Sequence, residues 1–417
     1  LGEPEWAGFG ALGLWGIDFG CSMSDLRYDP LNDTWVAISE TRTERPNEYP
    51  PSGGVIPLER CPFCLGNERE TPPAIAQYGW DPTDGRLIPA DRQDWLVRVV
   101  PNRFPAFEPA DLVNDGWLGA ATGDGTPAGR AAAEQQNVYP YGHELGRQSR
   151  QELIIESPRH VESYSQLTTA ELAAAFLVYR QRLEAYRRLP GLKYVLLFKN
   201  CRPEAGASLA HIHSQLFGLD FVPAAVAGRE RRLSRPAPPP EAASSAAPQN
   251  GRSVPKLLQQ MAAFEQHAQQ RVVETAEHWL AFCPFASRFA YQTWIVPQRH
   301  WGPYWDQSDT ALQELAVLVQ RWVASLERML DKPAYNVIFH NPILRPKRAP
   351  SAQVAGHAYV ELFARIGNVA GFEWGSNCWI NTISPETAAR QLRESTPERW
   401  VADATGYTQL QRDSSCG

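Results

Sequence analysis

The chain repeats itself, and that constrains its fold more than any local pattern. "ELIIESPRH" (152–160) matches "QTWIVPQRH" (292–300), each an alternating strand with a Pro and a terminal His. A helical pattern follows each. The first opens on the capping box Thr168 to Glu171 and carries an apolar stripe through Leu172, Phe176, Tyr179 and Leu183; the second spans roughly Thr310 to Leu330. Next come "YVLLFKN" (194–200) and "YNVIFHN" (335–341), then "HIHSQLF" (211–217) and "HAYVELF" (357–363). His160 and Asn200 stand 40 residues apart, His300 and Asn341 stand 41 apart, and the element order agrees. The repeat predicts a duplicated α+β fold: two pseudo-symmetric halves, each an antiparallel sheet carrying a long helix.

A chain of 417 residues suits two such units. Residues 234–253, "SRPAPPPEAASSAAPQNGRS", hold too few large apolar side chains to fold and read as the linker between a half at 23–233 and a half at 254–417. Residues 116–137 read as a Gly- and Ala-rich insertion. Residues 1–22 read as a disordered extension before a natural start at Met23. No apolar run is long enough to span a membrane, and the N-terminal stretch lacks the basic start of a signal peptide. A net charge of −6 argues against nucleic acid and for a small-molecule partner. The seven scattered cysteines do not form a disulfide framework and point to a reducing cytoplasm.

"CPFC" spaces Cys61 and Cys64 so that two thiolates can reach one tetrahedral ion. No second such pair exists, so further ligands must be histidines. Cys61, Cys64, His160 and His211 would make a closed structural zinc site; a redox pair or two buried thiols is the alternative. In "HIHSQ" the alternation puts His211, His213 and Gln215 on one strand face. A neutral imidazole at His213 can attack phosphorus when its other nitrogen is held in one tautomer, and the Gln215 amide can donate to a phosphate oxygen. Two structural histidines on a strand would look the same. Upstream, "NCRPEAGAS" supplies Asn200, Gly206 and Ser208, with Gly permitting close backbone approach to a phosphate. Arg42 and Arg45 in "SETRTERPNE" can clamp phosphates or simply be solvated. Asn102, Arg103 and Phe104 in "VVPNRFPAF" form a rigid turn, either a stacking edge or a structural corner. "AGFEWGSNCWIN" offers Phe372, Glu373 and Asn381, suited to sugar hydroxyls or to an ordinary loop.

Taken in order, "RYDPLNDTWVAIS", "RTERP", "CPFC", "VVPNRFPAF", "ESPRH", "FKN" with "GAS", "HIHSQ", "VPQRH" and "GFE" resemble the galactose-1-phosphate uridylyltransferase family of the histidine-triad superfamily over about residues 25–396. The resemblance implies His213 as the nucleophile and Cys61, Cys64, His160 and His211 as zinc ligands. It implies nucleotide and phosphate contacts from Arg42, Arg45, Asn200, Gly206, Ser208 and Gln215, and hexose contacts from Phe372, Glu373 and Asn381. The implied enzyme is a cytoplasmic homodimer that moves UMP between a UDP-hexose and a hexose 1-phosphate through a uridylyl-histidine. "HIHSQ" and "GFEWGSNCWIN" also resemble a divergent branch that includes ADP-glucose phosphorylases, which makes ADP-sugar phosphorolysis the alternative. A non-catalytic nucleotide-binding protein is the reading of another class. His300 and His357 persist in the second half without a second Cys pair, which argues against a second metal there.

Overall fold

The structure, a computed structural model, describes residues 25–38, 61–81, 86–91, 94–106, 148–234, 256–344 and 357–396. The extension 1–22, the insertion 116–137, linker residues 235–253, and Arg42 and Arg45 lie outside them.

In chain order the strands are β1 (Asp25–Asp29), β2 (Thr34–Ile38), β3 (Ala76–Trp80), β4 (Leu87–Pro89), β5 (Val97–Pro101), β6 (Arg150–Ile155), β7 (Tyr194–Cys201), β8 (His213–Leu219), β9 (Val272–Thr275), β10 (Trp279–Phe282), β11 (Thr293–Pro297), β12 (Tyr335–His340), β13 (Tyr359–Ala364) and β14 (Trp379–Asn381). The α-helices are α1 (Thr169–Arg188), α2 (Ala224–Ser234), α3 (Leu257–Ala268), α4 (Asp309–Met329), α5 (Gly371–Ser376) and α6 (Pro385–Glu394). Among the described residues β1, β2 and β14 form a small sheet. The rest build one 11-stranded sheet in the order β4-β3-β5-β6-β8-β7-β12-β13-β11-β10-β9. That order is nearly palindromic, with β5-β6-β8-β7 mirrored by β10-β11-β13-β12. The duplication is therefore a single antiparallel sheet, joined where Asn200 of β7 lies opposite Asn336 of β12.

The two long helices cover one face. α1 starts at the expected capping box: Glu171 N–H donates to Thr168 Oγ1 at 3.2 Å and Thr168 N–H to the Glu171 carboxylate at 2.7 Å. Phe176, Tyr179 and Leu183 of α1, with Leu315, Val319 and Trp322 of α4, are buried on the strand residues that face them, among them Ile154, Leu197, Leu216, Val337, Val360 and Leu362. Gln320 of α4 reaches across the seam. Its Nε2 donates to the carbonyls of Tyr164 (3.2 Å) and Leu167 (2.6 Å), just ahead of α1.

On the opposite face the halves differ. α2 and α3 cover the second half through Leu233, Leu258 and Ala262, which pack with Leu280, Phe282, Trp294, Val296 and Tyr359. The first half carries polar side chains on the corresponding strands instead.

The strand registers correct the repeat alignment by one residue in two places. Ile155 lies opposite His213, whereas Ile295 lies opposite Val360, which puts Val296 beside Tyr359. The position equivalent to His160 is then Trp301, not His300. The backbone agrees: Ile212 N–H donates to Val161 O and Ala358 N–H to Gly302 O. Likewise Lys199 matches Phe339, and Asn200 matches His340, since Leu197 and Lys199 point to the helix side as Val337 and Phe339 do. With a side-chain period of two, each one-residue slip would have put the wrong face outward.

Gln320→Leu removes both bonds and leaves the buried Leu167 carbonyl unpaired, while the Tyr164 carbonyl keeps the Leu167 N–H. It is expected to lower stability by about 1–3 kcal/mol, read from the urea midpoint.

Candidate functional site

The polar face of the first half is built on a buried ion pair. Lys199 and Glu156 are 1 % and 0 % exposed, and Lys199 Nζ lies 2.9 Å from Glu156 Oε2. A second Nζ–H donates to the backbone carbonyl of His213 at 2.9 Å. Tyr179 and Ser214 hydroxyls donate to the same carboxylate from below the sheet. An uncompensated charge here would be costly, so the pair and its bonds fix the start of β8.

His213 itself is buried, and its Nδ1 lies 2.8 Å from the His211 carbonyl. A carbonyl only accepts, so Nδ1 carries the proton and Nε2 keeps its lone pair. Burial, aided by the Lys199 charge, pulls its pKa down to about 4, and the ring is neutral at pH 7. That is the protonation state a nitrogen nucleophile needs.

Beside it, Cys61, Cys64, His160 and His211 place one donor atom each within 4.8 Å of one another. His211 Nδ1 lies 3.5 Å from both sulfurs, and His160 Nδ1 lies 3.4 Å from Cys64 Sγ. Tetrahedral Zn²⁺ with bonds of about 2.3 Å to sulfur and 2.0 Å to nitrogen requires S···N edges of about 3.5 Å. The four donors fit. His211 Nε2 also donates to Ser157 O at 2.9 Å, turning its Nδ1 toward the sulfurs. All four positions are protein groups, so a metal here would be structural. The knuckle also presents Phe63, whose ring packs edge-on against His211 (5.9 Å) and His213 (5.3 Å). The four-donor cluster and His213 share one wall.

Asn200, Gly206 and Ser208 come together at the end of β7. Asn200 Nδ2 donates to Gly206 O at 3.3 Å, and Asn336 from the second half donates to Asn200 Oδ1 (2.8 Å) and Ala205 O (2.9 Å). Gly206 has φ +92°, a left-handed conformation that favours glycine, and a Cβ there would press on the Asn200 amide at 3.3 Å. Arg202, at φ +73°, is held by Pro333 O and Glu327. A cavity of about 600 Å³ opens at this seam, walled by Asn200, Ser208 and His211 and, from the second half, Lys332, Ala334 and Arg365. Gln215 follows His213 on the same face and is half-buried.

Other expected residues fall elsewhere. Phe372 and Glu373 lie on the exposed helix α5, where Glu373 accepts from Ala370 N–H at 2.9 Å. Asn381 is buried; its Nδ2 donates to Ser287 O (2.8 Å) and Phe289 O (3.1 Å), so both amide hydrogens hold backbone and none is left for a sugar hydroxyl. Among the described residues no second metal cluster forms at His357: Trp301 fills the position of His160, its ring 5.2 Å from His357. Sequence reasoning passed over Glu156, Lys199 and Asn336. A Lys in a strand at a core-facing position, two residues from Leu197, was the available signal.

Residues 157–402 match the family described as "Domain of unknown function (DUF4921)". ADP-glucose phosphorylase of Arabidopsis thaliana is 24% identical over 89% of this chain and 92% of its own length. Galactose-1-phosphate uridylyltransferase of Thermotoga maritima is 24% identical over 90% of this chain and 100% of its own. The crystal structure of the Arabidopsis ADP-glucose phosphorylase with bound ADP-glucose superposes with a TM-score of 0.65, covering 89% of this chain and 99% of that one, at 24% identity. A uridylyltransferase structure gives 0.53 at 19% identity, covering 89% of this chain and 98% of that one. Fold and relatives mark the chain as a nucleotidyltransferase, similar to galactose-1-phosphate uridylyltransferases and ADP-glucose phosphorylase. Within that class the chain belongs to the DUF4921 family. No described helix is long and apolar enough to cross a membrane.

Metal analysis is expected to find about one zinc per chain, lost in Cys61→Ser. Lys199→Met strands Glu156 in the core and is expected to cost about 3–5 kcal/mol in chemical denaturation.

Proposed function

We propose that the chain transfers a nucleotidyl group in two steps through His213. His213 Nε2 attacks the α-phosphorus of a nucleoside diphosphate hexose. The N–P bond forms, the bond to the bridging oxygen breaks, and hexose 1-phosphate leaves with that electron pair. An acceptor phosphate oxygen then attacks the same phosphorus and His213 departs neutral. The observation that carries this reading is the tautomer: Nδ1–H bonded to the His211 carbonyl leaves Nε2 as the lone pair. Because Nδ1 stays protonated, the nucleotidylated ring is cationic, and its bond to the carbonyl strengthens as charge develops. The Gln215 amide, Ser208 and Asn200, with Arg42 and Arg45, would oppose the phosphate charge.

Cys61, Cys64, His160 and His211 would hold zinc, which supplies rigidity rather than a reacting group. The cavity at the seam gives room for the hexose 1-phosphate or the acceptor. Phe372 is exposed and half-buried Glu373 lies beside it, and the two would meet a sugar ring. The substrate pair is UDP-hexose with hexose 1-phosphate, and the enzyme works as a cytoplasmic homodimer whose halves are 23–233 and 254–417, joined by the linker. The free cysteines among the described residues accord with that compartment.

Phosphorolysis of an ADP-hexose by inorganic phosphate is the second reading. The match to ADP-glucose phosphorylase over 89% of the chain favours it.

Incubation with UDP-glucose or ADP-glucose labelled at the α-phosphate separates the two. The true donor leaves an acid-labile label on the protein. His213→Ala is expected to slow labelling by more than about 1,000-fold. Labelling that survives this change refutes the nucleophile, and a wild type that labels with neither donor supports a binding protein.

A further inference from the structure

Gln215 can meet a phosphate with either end of its amide, and only one end helps. Its N–H groups would bond an anionic oxygen; its carbonyl would repel one. What sets the choice is Gln151 on the neighbouring strand β6. Ala106 N–H can only donate, so the Gln151 atom 3.0 Å from it is the carbonyl Oε1. Gln151 Nε2 is thereby turned to Gln215, and it donates to Gln215 Oε1 at 3.1 Å. With its oxygen engaged, Gln215 has its N–H groups left for a ligand. The backbone reinforces the arrangement, since Gln151 O accepts from Asn102 N–H at 3.2 Å. Gln151 is almost fully buried and shares the open sheet face with Gln215 and His213.

We infer that Gln151 is a positioning residue that locks the Gln215 amide with its N–H groups toward the transferred phosphate. One fixed donor, Ala106 N–H, orients two amides in series. The inference rests on the reading that Gln215 donates to that phosphate.

Gln151→Glu tests it with almost no change of shape. The carboxylate still accepts from Ala106 N–H, but it can only accept from Gln215 too, which must then turn its carbonyl toward the phosphate. The rate of His213 labelling from the α-labelled nucleotide sugar is expected to fall about 10- to 100-fold, as in Gln215→Ala. Gln151→Met removes both bonds without imposing the wrong orientation, and is expected to cost only about 2- to 5-fold. A packing role predicts the reverse order, because Glu is the closer isostere. In a Gln215→Ala background, Gln151→Glu is expected to add no further loss; an undiminished loss there means that the introduced charge acts alone, and the inference falls.

Wild-type labelling by both Gln151 variants, with Gln215→Ala slowed, overturns the role of Gln151 and leaves that of Gln215 standing. Wild-type labelling by Gln215→Ala overturns the phosphate role of Gln215, and the inference with it. Urea midpoints for each variant exclude unfolding as the cause, and where Gln151→Glu fails to fold, wild-type labelling by Gln151→Met is the overturning result.

Discussion

Lys199 and Glu156 place a full ion pair in a sheet interior where almost everything else is apolar. Such a pair persists only when its remaining bonds are satisfied, and here they are, by two tyrosines, a serine and the carbonyl of His213. The consequence reaches the open face. The carbonyl of His213 is pinned from below and its Nδ1 is pinned by the carbonyl of His211, whose own ring is oriented by Ser157. Backbone, tautomer and ring plane of the imidazole are therefore set before any ligand arrives.

The two halves use one scaffold for opposite ends. In the second, Tyr359 takes the place of His213 and Glu361 that of Gln215. Glu361 is bonded to Arg288 at 2.8 Å, Gln292 at 2.6 Å and His340 at 2.7 Å. Burial pushes its carboxyl up, but the Arg288 guanidinium and His340 outweigh this and hold it below the usual carboxylate range. The polar set that lies on an open face in one half is thus satisfied internally in the other, beneath α2 and α3. The covered half still serves the open one, since Asn336 clamps the Asn200–Ala205 turn across the seam and Glu327 with Pro333 holds Arg202.

Much of this was legible in the sequence. The repeat foretold the duplicated α+β sheet, "CPFC" with His160 and His211 foretold the four-donor cluster, and the alternation in "HIHSQ" foretold the shared face. What escaped has physical reasons. Pairing repeats by identity favours matching letters, such as His160 with His300, over matching strand phase, and only hydrogen-bond register shows Trp301 in that place. Asn381 looked like a sugar contact because its neighbours are aromatic and Gly-rich; its burial, and the two carbonyls it holds, depend on a β14–β2 pairing between segments far apart in the chain. Lys199 and Glu156 read as unrelated charges until the strands brought them together.

The seam between β7 and β12 also bears on how such a chain can change over time. Separated, each half would expose a long strand with unpaired backbone groups in the middle of an apolar sheet, an open template for pairing with other chains. Fusion has turned what an independent half would present as an aggregation hazard into the interior of one sheet. A gene split between α2 and α3 would therefore have to yield halves that find each other faster than they find copies of themselves, which favours keeping the duplicate even though Tyr359 stands in the place of His213.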